Sequence, residues 1–578
     1  MTRYGSDVVV DLMRAQGIRY ASLNPGSSFR GLHDSIVNHG ENRPELILCP
    51  HEKIVVGLAH GYAKASGEPM AAILHDVVGL LHGAMGIYYA YLDRAPVLVL
   101  GGAGPMDATR RRPNIDWIHT ANVQGNAVRD FTKWDDQPAS IPSIPGSLLR
   151  ALRVASAEPR GPVYVALDAG LQEDETPEDL EIPDPAAFAT PSPIGAEPEA
   201  LRRLSEALVA ADRPVLVPGY VGRDPAAFEL LPELAELLGA GVVDTGIRLN
   251  VPNRHPLTVT GTDAIEHADL VCFVDVKDMG KPTQRLESST RTIRSLVPAG
   301  AQVVDLGFND VGLSSWSHDF AQLMPTDLAV TADAAAVLPE LVELVRKAVD
   351  GEDAERAAAR ARQRDELRAL HDRTRASWAE RARATADDTP ISTARLAADV
   401  WDAIREHDWV LTAGTASDWA LRLWDLDRHY RHAGRSLGTA TQIGISLGVA
   451  LAHRDEGRLV VDLQPDGDLM YDLGALWVAS YHRIPMLVVT FNNRAYFNDW
   501  EHQERIARLR GTPVENSWIG MELDRPAPDF AAVARALGWH AEGPVDRPED
   551  LAETVARAVS VVAEQRRPAL VDVVCQRR

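Results

Sequence analysis

Residues 459–493 have the sequence LVVDLQPDGDLMYDLGALWVASYHRIPMLVVTFNN, and this stretch decides the fold. The apolar run at 459–463 predicts a β-strand, residues 475–479 (ALWVA) predict a helix, and residues 486–491 (MLVVTF) predict a second strand. In a right-handed β–α–β unit the two strands are parallel. Their carboxyl ends therefore lie at one edge of the sheet, where α/β proteins bind ligands.

Polar residues follow both of these strands. Asp466 lies in a predicted turn after the first strand, and Asn492-Asn493 ends the second. A carboxylate, an amide oxygen and a nearby backbone carbonyl suit Mg²⁺ or Ca²⁺ carrying a diphosphate. Gly467 lets backbone N–H groups approach the phosphate oxygens. An ordinary buried β–α–β unit with an Asp-Gly turn is the alternative for Asp466-Gly467 taken alone.

The same alternation of short apolar runs and amphipathic helices recurs along the chain and predicts parallel sheets covered on both faces. Residues 172–200, rich in Pro, acid and Ala, predict a surface linker, and residues 351–390, charged and Ala-rich, predict an exposed helix. We therefore predict an α/β protein of three doubly wound parallel-sheet domains at 1–185, 195–345 and 390–578.

The composition excludes several classes of partner. The net charge of −23 disfavours nucleic acid and anionic membranes, because both repel an acidic surface. The three cysteines are far apart and favour a reducing compartment over a disulfide framework. The first residues lack a signal-peptide pattern, and no apolar run reaches the roughly 20 residues that a membrane span needs. We expect a cytoplasmic protein without a nucleic-acid or membrane partner.

The segment PDGDLMYDLGALWVASYHRIPMLVVTFNN resembles the signature of thiamin-diphosphate (ThDP)-dependent enzymes, which is Gly-Asp-Gly followed at a distance by Asn-Asn. It is most similar to the group of acetolactate synthase, benzoylformate decarboxylase and pyruvate oxidase. The resemblance implies metal ligation by Asp466, Asn493 and the carbonyl of Ala495, and cofactor contacts by Gly467 and Asp468. Pro465 replaces the first glycine of the signature and has no N–H to offer a phosphate.

A second resemblance covers His51-Glu52 and the following residues up to Gly61-Tyr62-Ala63. In the family this motif begins a helix, and the resemblance implies that Glu52 bonds N1′ of the aminopyrimidine. A carboxyl group sharing that proton favours the imino tautomer, whose N4′ removes the C2 proton of the thiazolium. A Glu stabilised by the helix dipole is the alternative for Glu52 alone.

Other motifs of the first part resemble the substrate side of the family's site. Pro25, Gly26 and Ser27 belong to an Asn-Pro-Gly-Ser turn. The resemblance implies that Pro25 and Gly26 contact the cofactor and that the Ser27 hydroxyl faces substrate; a plain turn is the alternative. His75 resembles an active-site histidine, and His82 is a weaker candidate; both are predicted to relay protons, with capping or filling as the alternative. Arg110-Arg111-Arg112 favours a solvated loop or a subunit contact over a carboxylate or phosphate site.

The C-terminal part supplies the remaining predicted contacts. Gly414 and Thr415 follow a predicted strand and are expected to receive diphosphate oxygens. The stretch around Leu437, Gly438 and Thr439 resembles the family's Gly-Leu-Gly segment, where the residue that props the cofactor into its bent shape stays undecided. Tyr496 and Phe497 begin a predicted helix that resembles the one covering the thiazolium in the family, and they are expected to contact the cofactor and the substrate.

The resemblance covers nearly the whole chain and implies an enzyme that cleaves or forms a C–C bond next to a carbonyl. We expect a 2-oxoacid decarboxylase or carboligase resembling acetolactate synthase, with ThDP and Mg²⁺ (or Ca²⁺) as cofactors. The alternatives are a 2-hydroxyacyl lyase, a C–C hydrolase, or a catalytically idle ThDP-binding paralogue. FAD is not predicted, because the Gly-Ser-Arg-Phe pattern of FAD-binding members is absent. The family pairs Glu52 of one subunit with Asp466 of another, which implies a homodimer as the minimum and favours a homotetramer.

Overall fold

A computed structural model describes residues 2–311, 323–414, 417–435 and 440–577. Three separate sheets, each entirely parallel, follow one another along the chain, and a short antiparallel hairpin accompanies the middle one. This confirms the predicted fold class of three parallel-sheet α/β domains. The exact domain limits stay a prediction. Thr415, Leu437, Gly438 and Thr439 lie outside the described residues.

The first sheet has six strands in the order β2-β1-β3-β4-β6-β5. Alternate residues of its strands enter two different cores, since Ala72 and Leu74 belong to one and Ala71 and Ile73 to the other. Both faces are therefore covered, as the nearly continuous apolar runs predict. The strands are β1 (Tyr20–Leu23), β2 (Glu45–Leu48), β3 (Met70–Leu74), β4 (Val97–Ala103), β5 (Asp135–Asp136) and β6 (Val163–Asp168). The helices are α1 (Gly5–Ala15), α2 (Arg30–Asp34), α3 (Glu52–Ser66), α4 (Asp76–Leu92), α5 (Ile115–His119), α6 (Ile144–Ser156) and α7 (Ala169–Glu173).

The middle sheet has five strands in the order β13-β12-β9-β7-β8, and β10 and β11 form the hairpin. The hairpin was not predicted. The strands are β7 (Pro214–Pro218), β8 (Gly241–Val242), β9 (Leu270–Val274), β10 (Gln284–Glu287), β11 (Thr292–Ser295), β12 (Gln302–Gly307) and β13 (Leu328–Thr331). The helices are α8 (Pro198–Ala210), α9 (Pro225–Leu238), α10 (Gly280–Thr283), α11 (Ala334–Asp350) and α12 (Ala354–Ala384).

The third sheet has five strands in the order β14-β15-β16-β18-β17. The strands are β14 (Trp409–Ala413), β15 (Leu459–Pro465), β16 (Leu487–Asn492), β17 (His540–Val545) and β18 (Ala569–Val574). The helices are α13 (Thr393–Ile404), α14 (Asp418–Leu423), α15 (Gln442–Ala452), α16 (Asp466–Tyr471), α17 (Gly474–Tyr481), α18 (Phe497–Arg510), α19 (Phe530–Ala536) and α20 (Pro548–Gln565).

The decisive β–α–β stretch forms as predicted, with one correction. Strand β15 pairs in parallel with β16, and α17 lies between them in the sequence. The predicted turn at Asp466 is wrong, because helix α16 begins at that residue. Pro465 is extended, with φ −65° and ψ 141°; it ends β15 and occupies the N-cap of this helix, where an N–H would have no intrahelical partner.

The first and third sheets share one hydrophobic core, which joins α3 of the first to α15 of the third. The two helices approach through glycines. A Cβ built on Gly61 would lie 1.9 Å from the carbonyl oxygen of Ile445, and one built on Gly448 would lie 2.0 Å from that of Leu58. Only glycine allows backbones to pack this closely. The helix that begins with Glu52 is therefore fixed directly on the third sheet's layer.

A buried ionic cluster joins the first part of the chain to the middle part. Asp275, which follows β9 and is fully buried, binds both Arg94 and Arg223. Arg223 also pairs with Asp333 at 2.7 Å and with Glu158 at 3.1 Å. Breaking such a cluster on one side leaves an uncompensated buried charge, which is strongly destabilising.

The two segments predicted as connectors are, as expected, a mostly exposed irregular segment and a long helix. Most of residues 172–200 is exposed and irregular, and α12 is a long helix on which Arg360, Leu367, His371 and Ala382 are buried. Among the described residues, no helix combines the length and apolar character needed to cross a membrane.

Candidate active site

Asp466 lies at the carboxyl edge of β15 and is buried, with 2% of its surface exposed. Its Oδ1 accepts a hydrogen bond from the Gly467 amide at 2.8 Å, while its buried Oδ2 has no hydrogen-bond partner among the described residues. Burial raises the pKa of Asp466 to about 6, although the nearby amides of Gly467, Arg494 and Ala495 lower it. A buried carboxylate oxygen without a partner fits a cation ligand.

The other predicted metal ligands lie in the turn that follows β16. Asn493 Oδ1 accepts a hydrogen bond from the Ala495 amide at 3.0 Å, and Ala495 is buried. The ring of Tyr496, which follows this turn, lies against Gly467, so the turn lies beside Asp466. The structure thus brings together a carboxylate, an amide oxygen and a backbone segment, the donor set that suits Mg²⁺.

The neighbours of Asp466 have more structural roles than the sequence indicated. A Cβ on Gly467 would lie 2.6 Å from the ring of Tyr496, so a side chain at this position would displace that ring. Asp468 accepts hydrogen bonds from the Ala440 amide and, at 3.3 Å, from the Gln442 amide at the start of α15. Its carboxylate is therefore occupied by the protein, and a contact with the cofactor stays a prediction.

Gly414, Tyr496 and Phe497 lie around the same edge. Gly414 is buried directly after β14, and its amide donates to Gln442 Oε1 at 2.8 Å. The Tyr496 ring lies edge-on to Tyr471 at 6.3 Å, and α18 begins at Phe497 as predicted. Both Tyr496 and Phe497 are half-buried.

Glu52 is the first residue of α3 and is buried, with 6% of its surface exposed. A Cβ on Gly79 of α4 would lie 3.1 Å from Glu52 Oε1, so a side chain there would crowd the carboxylate. His82 Nδ1 lies 3.4 Å from Glu52 Oε2, and the His82 ring stacks on His51 at 5.0 Å. The structure therefore groups Glu52 with His82, although the His82 side chain is 54% exposed.

The two motifs are connected within the chain. Lys53, next to Glu52, pairs with Asp472 at the end of α16 at 3.0 Å. The amide of Leu48 donates to His482 Nε2 at 2.8 Å. A single chain is described, so the pairing of Glu52 with Asp466 of another subunit stays a prediction.

His75 is held by Ser28, a residue that the sequence analysis did not select. Ser28 Oγ accepts from the Asp76 amide at 3.2 Å and lies 2.8 Å from His75 Nδ1. The Ser28 hydroxyl can donate to His75 Nδ1 when that nitrogen carries no proton. In this tautomer the ring proton is on Nε2. Gly26 is required beneath this ring, because its Cβ would lie 2.5 Å from His75 Cβ and Cγ.

Asp76 and His119 complete a polar group around His75. Asp76 Oδ2 lies 3.5 Å from His75 Nε2 and 3.9 Å from His119 Nδ1. Burial raises the pKa of Asp76 to about 6, and burial followed by the nearby His119 lowers the pKa of His75. A carboxyl that titrates near neutrality beside a neutral imidazole is suited to proton transfer. Asp76 directly follows His75 in the sequence, but no local pattern links either residue to His119.

The arginine run is divided between surface and site. Arg110 pairs with Asp174 at 2.7 Å on the surface, in agreement with the preferred solvated-loop hypothesis. Arg112 instead pairs with Asp116 and donates to Ser27 Oγ at 3.1 Å. Ser27 and Pro25 are exposed, so Ser27 is reachable from solvent while Ser28 is not.

Comparison with known proteins accounts for this arrangement. Residues 3–127 match the model of the thiamine pyrophosphate enzyme N-terminal TPP binding domain, and residues 412–573 match that of the C-terminal TPP binding domain. The chain belongs to the ThDP-dependent enzymes. The two matched segments contain Glu52 and the Asp466–Asn493 motif respectively, which confirms the resemblance seen in the sequence.

Similar proteins match nearly the whole length of the chain. Benzoylformate decarboxylase of Pseudomonas aeruginosa is 26% identical, covering 98% of this chain and 98% of its own. Glyoxylate carboligase of Escherichia coli O157:H7 is 24% identical, covering 99% and 93%. The structure of benzoylformate decarboxylase from Polynucleobacter necessarius superposes with a TM-score of 0.76 at 19% identity, covering 100% and 99%. That of 4-hydroxybenzoylformate decarboxylase from Rhodococcus jostii RHA1 has a TM-score of 0.75 at 21% identity, covering 99% of each chain.

Proposed function

We propose that this ThDP-dependent enzyme decarboxylates a small 2-oxoacid, or ligates the resulting acyl unit to an acceptor, with Mg²⁺ as the metal. The observation that carries the proposal is the buried Glu52 at the start of α3, with Gly79 leaving room beside its carboxylate. A catalytically idle paralogue has no need for a buried carboxyl there. The names of the relatives, both decarboxylases and carboligases, support the same reaction class.

In this proposal one set of residues binds the metal ion and another holds a proton on the cofactor. Asp466, Asn493 and the Ala495 carbonyl would hold the metal, and Oδ2 of Asp466 is available for it. Glu52 would hold a proton at N1′ of the aminopyrimidine. Bound ThDP supplies an acidic carbon and an electron-accepting ring for the bond that breaks.

The substrate side has polar groups that can move a second proton. The Ser28 hydroxyl orients His75 so that its Nε2–H faces Asp76. Ionised Asp76 lies beside the ring, so the His75–Asp76 pair can take up one proton from a substrate group and return it in a later step. Arg112 and the Ser27 hydroxyl lie on the open side, where a substrate carboxylate can bind both.

The deciding experiment compares wild type with Glu52→Gln on a panel of 2-oxoacids, with ThDP and Mg²⁺ present. We expect release of CO₂ or an aldehyde by wild type, and loss of turnover in Glu52→Gln with ThDP binding retained in calorimetry. Glu68→Gln is the matched control, because Glu68 is exposed beyond the other end of α3. Full turnover in Glu52→Gln, or no covalent 2-oxoacid adduct of the cofactor by mass spectrometry in wild type, would refute the proposal.

The assembly and location complete the proposal. We expect a homotetramer built from homodimers in the cytoplasm, which light scattering and fractionation of cells would test.

A further inference from the structure

Three side chains of the first part of the chain form a group that has the composition of a transition-metal site. His75 is the N-cap of α4, Asp76 is the first residue of that helix, and His119 is the last residue of α5. One metal-binding atom of each lies within 4.8 Å of those of the other two. We call these three residues the His-Asp-His cluster. None of them belongs to the proposed Mg²⁺ ligands.

The distances within the His-Asp-His cluster are longer than hydrogen bonds. Asp76 Oδ2 lies 3.5 Å from His75 Nε2 and 3.9 Å from His119 Nδ1, whereas an N–H···O hydrogen bond spans about 2.7–3.2 Å. A tetrahedral Zn²⁺ ion with bonds of about 2.1 Å holds its ligand atoms about 3.4 Å apart. The spacing is therefore closer to that of ligands sharing one ion than to that of hydrogen-bonded partners.

His119 contributes an unsatisfied atom to the cluster. Its Nδ1 is buried and has no hydrogen-bond partner among the described residues, which is unfavourable for a polar atom. An ion between the three ligand atoms would lie about 2.1 Å from each, whereas a water molecule needs about 2.8 Å. A nitrogen that is closed to water can therefore still bind a metal ion in this position.

The two histidines give the cluster a route to solvent. The side chains of His75 and His119 keep 15% and 23% of their surface exposed, whereas that of Asp76 keeps 3%. The buried carboxylate supplies negative charge for a cation, and the partly exposed imidazoles lie where an ion can enter. An entry path of this kind is a requirement for a metal site.

Ser28 can support metal binding by His75. Its Oγ lies 2.8 Å from His75 Nδ1. When His75 binds an ion through Nε2, the ring proton is on Nδ1 and is donated to the Ser28 oxygen. That oxygen has a second lone pair for the Asp76 amide at 3.2 Å. Contacts of this kind fix the tautomer and the orientation of metal-binding histidines.

The ligand atoms of the cluster select the kind of ion. Two imidazoles and one carboxylate suit Zn²⁺ and Co²⁺, with water in the remaining position. Mg²⁺ instead prefers oxygen ligands, such as those of Asp466 and Asn493. The cluster and the proposed Mg²⁺ site therefore differ in the metal that they favour, and both can be filled in one protein.

We propose that the His-Asp-His cluster binds Zn²⁺ and that the bound ion inhibits the enzyme. The ion would occupy His75 Nε2 and Asp76 Oδ2, the atoms that take up a proton in the proposed function. The inhibition rests on that proposed function, whereas the binding of the ion does not. Removal of the ion with a zinc-selective chelator should restore activity.

The test titrates the holoenzyme, saturated with ThDP and Mg²⁺, with Zn²⁺ by calorimetry and with Co²⁺ by visible absorption spectroscopy. We expect one Zn²⁺ per chain to bind at about micromolar concentration and to displace the Co²⁺ spectrum. Turnover of a 2-oxoacid should fall by roughly a hundredfold at saturating Zn²⁺, because the proton-transfer groups are blocked. Absence of saturable binding up to about 1 mM Zn²⁺, or binding that excess Mg²⁺ abolishes, would overturn the proposal.

Two variants test the assignment of the ligands. His119→Gln should weaken Zn²⁺ binding by at least roughly a hundredfold, because it removes a ligand, and Ser28→Ala should weaken it by roughly ten- to hundredfold. Each variant is compared with its own turnover without zinc, so an effect on catalysis is kept apart from one on inhibition. His33→Gln is the matched control, because His33 is exposed on α2, and should bind Zn²⁺ as wild type.

A further variant excludes a second group of possible ligands, which contains His51, Glu52 and His82. His82→Gln should keep wild-type affinity for Zn²⁺. Loss of binding in His82→Gln, or wild-type binding in both His119→Gln and Ser28→Ala, would overturn the assignment. Binding that depends on His119 without inhibition would overturn the inhibition alone. Absence of turnover in zinc-free wild type would instead refute the proposed function, and the binding measurements would still decide whether the site exists.

Discussion

Replacing Gly61 with alanine is expected to push α3 away from α15. The new Cβ would lie 1.9 Å from the carbonyl oxygen of Ile445, whereas an ordinary C···O contact needs about 3.3 Å. The neighbour is helix backbone and cannot rotate away, so the helices must separate locally by roughly 1.4 Å. Overpacking of this kind costs about 1–3 kcal/mol, which exceeds the gain of about 1 kcal/mol from alanine's helix propensity.

The displacement should reach the chemistry, because α3 begins with Glu52 and packs on the layer that carries Asp466. A shift of about 1 Å in a catalytic arrangement can reduce turnover by roughly a hundredfold. We therefore expect Gly61→Ala to lower both the melting temperature and the rate of 2-oxoacid turnover, measured by calorimetry and CO₂ release.

Gly57→Ala provides the matched control on the same helix. Its Cβ would lie 3.4 Å from Gly444 Cα, which is ordinary van der Waals contact, so stability should stay near wild type or rise by up to about 1 kcal/mol. Wild-type stability and turnover in Gly61→Ala, or equal losses in both variants, would refute the reasoning from backbone proximity.

Further outcomes follow from single side chains. Asp466→Ala should remove the Mg²⁺ dependence of ThDP binding, compared by calorimetry with and without chelator; undiminished dependence would contradict the ligand assignment. Ser28→Ala should lower kcat by roughly ten- to hundredfold with little change in KM, because the tautomer of His75 is no longer fixed. Activity should fall as the pH drops below about 6, where Asp76 becomes protonated, and Asp76→Asn should remove that acidic limb of the kcat profile. Asp305, buried in β12 with Oδ1 unpartnered among the described residues, has its pKa raised by burial to about 7, so its ionisation makes stability fall as pH rises from about 4 to about 7. Asp305→Asn should flatten that decline and stabilise the protein at pH 8 by up to roughly 4 kcal/mol in urea denaturation, and an unchanged pH dependence would contradict this assignment.

Local sequence rules were sufficient to predict the sheet layers and the sheet edge at which the proposed cation ligands lie. Mostly apolar runs such as 459–463 and 486–491 form buried parallel strands, and a β–α–β unit places Asp466 and Asn493 at one edge of the sheet. The turn predicted at Asp466 is wrong, because acidic residues such as Asp466 and Asp468 also favour the first turn of a helix, and a helix begins there.

Local sequence rules could not predict contacts between residues that are far apart in the sequence. Ser28 contacts His75 because β1 and β3 are neighbours in the sheet. His119 lies on α5, and no sequence periodicity predicts where the loop before α5 places this helix. The glycines of α3 are visible in the sequence, but the need for them appears only when α15 lies against them.

The ionic cluster of Arg94, Arg223 and Asp275 limits how this protein can be recombined. Arg94 belongs to the first part of the chain, whereas Arg223 and Asp275 belong to the middle part. The charges of all three are buried where these two parts meet. A chimera that takes its middle part from a relative lacking Arg223 and Asp275 would leave the buried Arg94 without a counterion. These three positions are therefore expected to change together during evolution, and successful domain exchange should require transplanting them as a set.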